Sequence, residues 1–237
     1  MYLQFKNFRN ANEVLYVLDS ARKMSNDPVS KLGLQKLLYL SACFAPIRDV
    51  ILSFIRYTRW YRGPYSSGIQ NTVDHLVGYG LVNVTGFKLL GGAASITNYK
   101  ISDGGLLAVE NLRQYSVEDD KAWWIDCITR LAFFYSKDDY LKKDEEFSGL
   151  DIIVRMVYQE ETFKLMDSSK GKGAVLDFTV KENITKLIIQ TIKEHVNQDK
   201  GFLELPEKTK AELILLAFFE QLYFNALDHT KNEQERG

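Results

Sequence analysis

The sequence predicts a mostly α-helical protein with one small β-hairpin in its N-terminal half. Apolar residues recur at intervals of three and four through most of the chain, which is the period of an amphipathic helix. Residues 81–85 and 96–101 instead alternate between apolar and polar side chains, as a half-buried strand does. The chain has 237 residues, of which 46% are hydrophobic, so it can bury a core without disulfides or structural metals.

Two amphipathic helices are expected at the start of the chain. The first covers residues 10–23 and ends in the polar segment 25–28. The second begins at Ser30 and ends before Pro46, because a residue that precedes a proline is pushed out of the helical region. Residues 51–60 are rich in β-branched and aromatic side chains, so they fit either a strand or a further short helix.

A third helix is expected after Gly63-Pro64, a pair that is typical of a turn. Ser66 or Ser67 is the candidate cap of this helix, because a serine hydroxyl can accept a free backbone N–H of the first turn. The apolar period continues from there to about Gly80, which predicts the end of the helix.

A β-hairpin is expected next. Residues 81–85 form its first strand, residues 86–95 a flexible tip that contains three glycines, and residues 96–101 its return strand. A helix over residues 102–115 then connects the hairpin to the second half of the chain.

The second half is predicted to be an all-helical bundle. Its helices are expected at residues 121–135, 148–166, 181–197 and 206–229. The last of them is apolar over much of its circumference, which predicts that it lies at the centre of the bundle or against another chain. We therefore expect an N-terminal domain of residues 1–115, an all-helical domain of residues 116–230 and a disordered tail of residues 231–237.

The predicted N-terminal order is three helices, a strand, a glycine-containing tip and a second strand, which is the order of a winged helix-turn-helix domain. Five short segments sharpen this interpretation: KLLYL at 36–40, YRGPYS at 61–66, LV at 76–77, GLV at 80–82 and YKIS at 99–102. Over residues 30–105 the chain resembles winged-helix proteins of the Panacea antitoxin type. With its helical second half, the whole chain also resembles the middle components of ABC three-component anti-phage systems of the Lamassu type.

These resemblances imply two alternative functions. The second implies a non-catalytic adaptor subunit that bridges an SMC/ABC-type ATPase and an effector in prokaryotic anti-phage defence. The first leaves open a transcriptional regulator or antitoxin that binds DNA as a homodimer. On the adaptor interpretation the partners are other protein subunits, and duplex DNA is a further candidate.

The residues expected to contact nucleic acid or a partner lie on the third helix, before it and in the hairpin. Gln70 and Asn71 carry amides that can pair with adenine edges, whereas Asp74 repels phosphate. Nearby cations predict a modest basic rim, which fits a DNA backbone or an acidic protein surface. The full set is Arg56, Arg59, Arg62, Ser66, Gln70, Asn71, His75 and Lys88.

Aromatic residues of the second half recur at helical spacing, which is typical of core residues and, in part, of a docking surface. The expected docking set is Trp123, Trp124, Phe219 and Phe224.

Charge is distributed unevenly along the chain. Residues 1–100 contain twelve Lys and Arg against five Asp and Glu, a balance of +7. Residues 101–237 contain eighteen against twenty-six, a balance of −8. The two halves are therefore expected to face different partners, or each other.

No catalytic residue, cofactor or metal site is expected. The three histidines, His75, His195 and His229, are far apart and lack carboxylates or cysteines at metal-ligand spacing. Cys43 and Cys127 lie in apolar helical patterns and are interpreted as small core residues.

The location of the protein follows from what the sequence lacks. Residues 1–8 do not show the basic and apolar regions of a signal peptide, and no apolar run is long enough to span a membrane. We expect a cytoplasmic protein without a small-molecule substrate.

Overall fold

The computed structural model describes residues 10–50, 52, 57–60, 63–89, 95–136, 174–176, 194 and 200–234. These residues are mostly helical and include small antiparallel sheets, so the predicted fold class is confirmed at that level. The helices predicted at residues 148–166 and 181–197 fall outside the described residues, apart from the helical Glu194.

In chain order the helices are α1 (Ala11–Ser25), α2 (Lys31–Phe44), α3 (Ser67–Gly78), α4 (Asp103–Leu112), α5 (Ser116–Ser136), α6 (Lys200–Leu203) and α7 (Glu207–Gln234). The strands are β1 (Val29–Ser30), β2 (Tyr57–Trp60), β3 (Gly63–Tyr65), β4 (Val82–Leu89), β5 (Ser95–Ile101) and β6 (Ala174–Leu176).

The ends of α1 and α2 follow local sequence signals. Helix α1 ends at Asn26, whose backbone adopts the left-handed conformation with φ of 54°. Helix α2 begins after Ser30, whose hydroxyl accepts the Gly33 N–H at 3.0 Å. Pro46 lies just beyond the end of α2, where Ala45–Ile47 continue as a 3-10 turn.

The first sheet contains β1, β5 and β4 in that order, all antiparallel. The hairpin of β4 and β5 is longer than predicted, because β4 extends to Leu89 and β5 begins at Ser95. Much of the segment expected as a flexible tip is therefore strand. The register of pairing shifts between Val84 and Gly86, which marks a β-bulge. The two strands stay paired on both sides of this bulge.

The second sheet contains β3, β2 and β6 and corrects two expectations. Gly63-Pro64 does not form a turn but belongs to β3, where Pro64 pairs with Arg59 of β2. The proline fits because β3 lies at an edge of this sheet, where a missing N–H removes no ladder hydrogen bond. Segment 51–60, for which the sequence fitted either a strand or a short helix, thus contains a strand. Strand β6 lies in the half that was expected to be entirely helical.

The hydrophobic core continues across residue 115, because α5 packs against α1 and α2. Trp124 is fully buried, and its Nε1–H donates to the Ser41 carbonyl O at 3.0 Å. The Ser20 hydroxyl donates to Asp126 Oδ1 at 2.8 Å. The division into domains at residue 115 stays a prediction, but α5 shares its core with the first two helices.

Helices α5 and α7 are both longer than expected. Helix α5 starts at Ser116, five residues before the predicted start at residue 121, and helix α7 extends to Gln234. The backbone of residues 231–234 is therefore helical, whereas a disordered tail was expected from residue 231.

A polar network joins the start of α5 to α1. Glu118 accepts hydrogen bonds from the Tyr16 hydroxyl at 2.8 Å and the Asn12 amide at 3.0 Å, and from Lys121 Nζ at 2.7 Å. Burial by itself raises the pKa of the Glu118 carboxyl, but these three donors outweigh it and hold that pKa below its usual value. Burial and the hydrogen bond to Glu118 raise the pKa of Tyr16, so its hydroxyl remains a donor.

The Glu118 network predicts a pH-dependent contribution to stability. A carboxyl whose pKa is lower in the folded state stabilises the protein above its unfolded pKa, about 4.3, and loses this contribution as the pH falls through the folded pKa. Glu118→Gln is therefore expected to lower the free energy of unfolding at pH 7, and the deficit should shrink at acidic pH. Urea titrations of wild type and Glu118→Gln at several pH values measure this difference in the free energy of unfolding. A difference that does not change with pH would contradict the prediction.

Candidate interaction site

Helix α3 lies at the centre of the predicted contact surface. Its buried face contains Ile69, Thr72, Val73 and Leu76, at the helical period that the sequence showed. Its outer face exposes Asn71 and Asp74, with Gln70 and His75 half-buried beside them. The candidate contact residues of α3 are therefore brought together on one face, as expected.

The start of α3 is held by a residue of α2 that the sequence analysis did not select. The Ser66 N–H donates to Gln35 Oε1 and the Ser66 carbonyl O accepts from Gln35 Nε2, both at 2.9 Å. Both residues are buried, and the Ser66 hydroxyl does not cap α3. Ser66 is thus a buried junction residue rather than a surface contact, which corrects its expected role.

Gln35→Leu tests this junction. The change leaves the buried Ser66 N–H and carbonyl O without their partner, at a cost of about 2 kcal/mol in the free energy of unfolding. Gln35→Glu restores the acceptor but not the donor, so its cost should be that of a single broken hydrogen bond plus a buried charge. Chemical denaturation measures the stability of both variants. A Gln35→Leu protein as stable as wild type would show that Gln35 does not hold the start of α3.

The outer face of α3 has the charge pattern of a neutral-to-acidic surface. Helix α3 contains no Lys or Arg, and its carboxylate, Asp74, is exposed. Gln70 Nε2 donates to Asp74 Oδ1 at 2.8 Å and to the Tyr99 hydroxyl at 3.1 Å, so its amide is already engaged. His75 Nδ1 lies 2.6 Å from the Asn71 carbonyl O. Such a face repels phosphate more than it attracts it.

Beside α3, the hairpin exposes apolar side chains. Val84 lies opposite the buried Tyr99, and Phe87 lies opposite the buried Thr97, so all four side chains are on the same face of the hairpin. Yet Val84 is 47% exposed and Phe87 is 64% exposed, on β4 at the edge of the sheet. We call Val84 and Phe87 the hairpin patch.

The predicted basic rim is described in part. Lys88 is exposed on β4, opposite Ile96. Arg56 and Arg62 lie outside the described residues, and Arg59 is described by its backbone in β2. Of the cations predicted for the rim, Lys88 is therefore the one whose side chain the structure describes.

The predicted docking aromatics divide into core and surface. Trp124 and Phe219 are fully buried, so they pack in the core and do not form the docking surface that was expected of them. Trp123 is half-buried, with Lys208 Nζ 5.1 Å from its ring centroid. Phe224 is exposed on α7.

Of the residues that could carry chemistry, the structure describes both cysteines and part of the acidic and histidine residues. Cys43 and Cys127 are buried, and burial raises the pKa of each thiol to about 12, so both are neutral at physiological pH. Within the described residues, no three His, Cys, Asp or Glu side chains are grouped as metal ligands would be. The described residues do not include the side chains of His195 and His229 or the acidic segment 138–146.

No helix in the described part of the chain is both long enough and apolar enough to cross a membrane. A comparison with models of known protein families and with curated protein sequences finds no significant match.

Proposed function

We propose that the protein is a non-catalytic adaptor subunit, in which an N-terminal winged helix binds another protein. The order of elements supports the winged helix: α1, β1, α2 and α3 precede the hairpin of β4 and β5, with β2 and β3 inserted between α2 and α3. Strand β1 pairs with β5 to complete a three-stranded sheet. The buried stripe of α3 leaves its polar face outward next to the hairpin, as in a winged helix.

The observation that carries the proposal is the surface chemistry of α3 and the hairpin patch. A DNA-reading winged helix presents cations to phosphates. The described part of this surface presents Asp74, an occupied Gln70 amide and two exposed apolar side chains, Val84 and Phe87, beside the single exposed cation Lys88. Apolar side chains with a polar rim are typical of a protein contact.

The wider role follows from the resemblance of the whole chain to the middle components of Lamassu-type systems. On this proposal the partners are an SMC/ABC-type ATPase and an effector, and the protein joins the two in prokaryotic anti-phage defence. The opposite charge balance of the halves, +7 for residues 1–100 and −8 for residues 101–237, supports two different contact surfaces.

The second candidate is a homodimeric DNA-binding regulator or antitoxin. It is favoured by the exposed Lys88 of the hairpin and by the basic balance of residues 1–100. It requires salt-sensitive affinity for duplex DNA that falls when Lys88 and Arg59 are both replaced by alanine.

The experiment compares two double variants of β4 in a pull-down from the native host. Val84→Ser with Phe87→Ser removes the hairpin patch, while Asn83→Ser with Thr85→Ser changes exposed polar residues of the same strand. With nuclease present, wild type and the polar control should recover the ATPase and the effector, and the patch variant should lose at least one. Equal recovery by all three would overturn a role for the patch, and recovery of DNA alone would favour the regulator.

A further inference from the structure

Helix α7 has two apolar faces, and α5 covers one of them. Ala211, Ile214, Leu215 and Phe219 are buried in the core. The opposite side of the helix carries Leu213, Leu216, Ala217, Glu220 and Phe224, all exposed, and we call it the outer face. At about 100° per residue these five positions fall within one stripe along the helix. Their spacing is that of residues on a face that packs against another helix.

The outer face is apolar to a degree that is unusual for a solvated helix. Leu213 is 43% exposed, Leu216 42% and Phe224 52%, over more than two helical turns. Each fully buried leucine or phenylalanine contributes about 1.5–3 kcal/mol, so covering this stripe favours association. On α5, Phe134 is 70% exposed, and its ring meets that of Tyr135, which stacks on the buried Phe219.

One carboxylate lies within this stripe. Glu220 is exposed, and the ion pairs found among the described residues do not include it. Burial raises the pKa of Tyr135, and the negative charge of Glu220 adds to this effect. A ligand that covers the outer face must therefore supply a positive charge there, or leave Glu220 desolvated without a partner.

The position of Glu220 argues against a second copy of the chain as the occupant. In a parallel pair of outer faces the two Glu220 side chains would lie opposite each other. In an antiparallel pair centred between Leu213 and Phe224 they would be separated along the axis by three residues, or about 4.5 Å. Both arrangements bring like charges together at an apolar interface.

We propose that the outer face of α7 binds an amphipathic helix of another protein, which places apolar residues against Leu213, Leu216 and Phe224 and a lysine or arginine against Glu220. The acidic balance of residues 101–237 favours such a basic partner. The inference rests on the proposed adaptor function only in requiring a protein partner, and it uses a surface separate from the hairpin patch.

The test is a selection from a displayed library of helical peptides with fixed apolar positions and randomised flanking positions. The bait is the full chain, and counter-selection uses the Leu213→Glu, Leu216→Glu double variant after circular dichroism shows it folded. Selected peptides should carry Lys or Arg at the same one of the randomised positions. Leu216→Glu should weaken their binding at least tenfold, and Glu220→Gln about two- to fivefold at low salt.

The charge-reversed bait gives the sharpest result. With Glu220→Lys, the selected position should change from Lys or Arg to Asp or Glu. No enrichment over the counter-selecting variant, or the same residue preference with both baits, would overturn the proposal. So would a wild-type dimer in sedimentation that Leu216→Glu dissociates, because the occupant would then be a second copy. The hairpin-patch variant should bind the peptides as wild type does, so a failure here is distinguishable from a failure of the proposed function.

Discussion

Replacing Trp124 with alanine is expected to lower the free energy of unfolding by about 4 kcal/mol, the largest effect predicted for this chain. The side chain is completely buried between α5 and the N-terminal helices, and its removal leaves a large cavity. It also leaves the Ser41 carbonyl O without the indole N–H that it accepts at 3.0 Å.

Two matched variants separate the parts of this effect. Trp124→Phe keeps an aromatic ring but loses the N–H donor, so it should cost about 1–2 kcal/mol. Trp123→Ala changes the neighbouring, half-buried tryptophan, which has a cation–π contact with Lys208, and should cost about 1 kcal/mol. Urea unfolding followed by circular dichroism measures all three. Equal costs for Trp123→Ala and Trp124→Ala would contradict the burial of Trp124.

The same experiment examines the boundary expected at residue 115. Trp124 lies beyond that boundary, but its indole N–H donates to the Ser41 carbonyl O of α2. If α5 and the N-terminal helices unfold as one unit, Trp124→Ala shifts a single cooperative transition. If residues 116–230 form an independent domain, the variant splits the curve, and the N-terminal transition keeps its wild-type midpoint.

The two tryptophans also show what the sequence could predict of the site and what it could not. Apolar periodicity predicted α1, α2, α3, α5 and α7, because a helix that buries one face must repeat at about 3.6 residues. It did not tell Trp123 from Trp124, since both fit an apolar helix and a rotation of about 100° decides which one is buried. On α7 the apolar pattern predicted a helix at the centre of the bundle or against another chain, and the structure leaves Leu213, Leu216 and Phe224 exposed.

Other differences arose where long-range partners decide the structure. Gln35 looks like an ordinary polar residue in α2, and its role appears only when Ser66 lies beside it. Gly63-Pro64 has the composition of a turn, yet β2 recruits it as an edge strand. Gly86 suggests a flexible tip, but a glycine within a strand also accommodates a bulge. Local propensity is a weak guide when pairing with a distant segment supplies the hydrogen bonds.

Gly105→Ala is expected to destabilise the protein by about 3 kcal/mol, the upper end of the usual cost of overpacking. Gly105 lies in the first turn of α4, where its N–H donates to the Ser102 hydroxyl at 3.1 Å. A Cβ at this position would overlap the Leu81 carbonyl O and would lie 2.7 Å from Ile101 Cγ1. The carbonyl belongs to the backbone just before β4, so it cannot rotate away as a side chain could.

Gly104→Ala is the matched control for this substitution. A Cβ there would meet its nearest neighbours, which include a side-chain atom of Leu81, at 3.6 Å, an ordinary van der Waals distance. Because alanine also favours helix more than glycine does, Gly104→Ala should be neutral or stabilising by up to about 1 kcal/mol. Thermal and urea unfolding of the two variants compare the same chemical change one residue apart. If both variants were equally stable, α4 could not approach the backbone before β4 as closely as the contact between Gly105 and Leu81 requires.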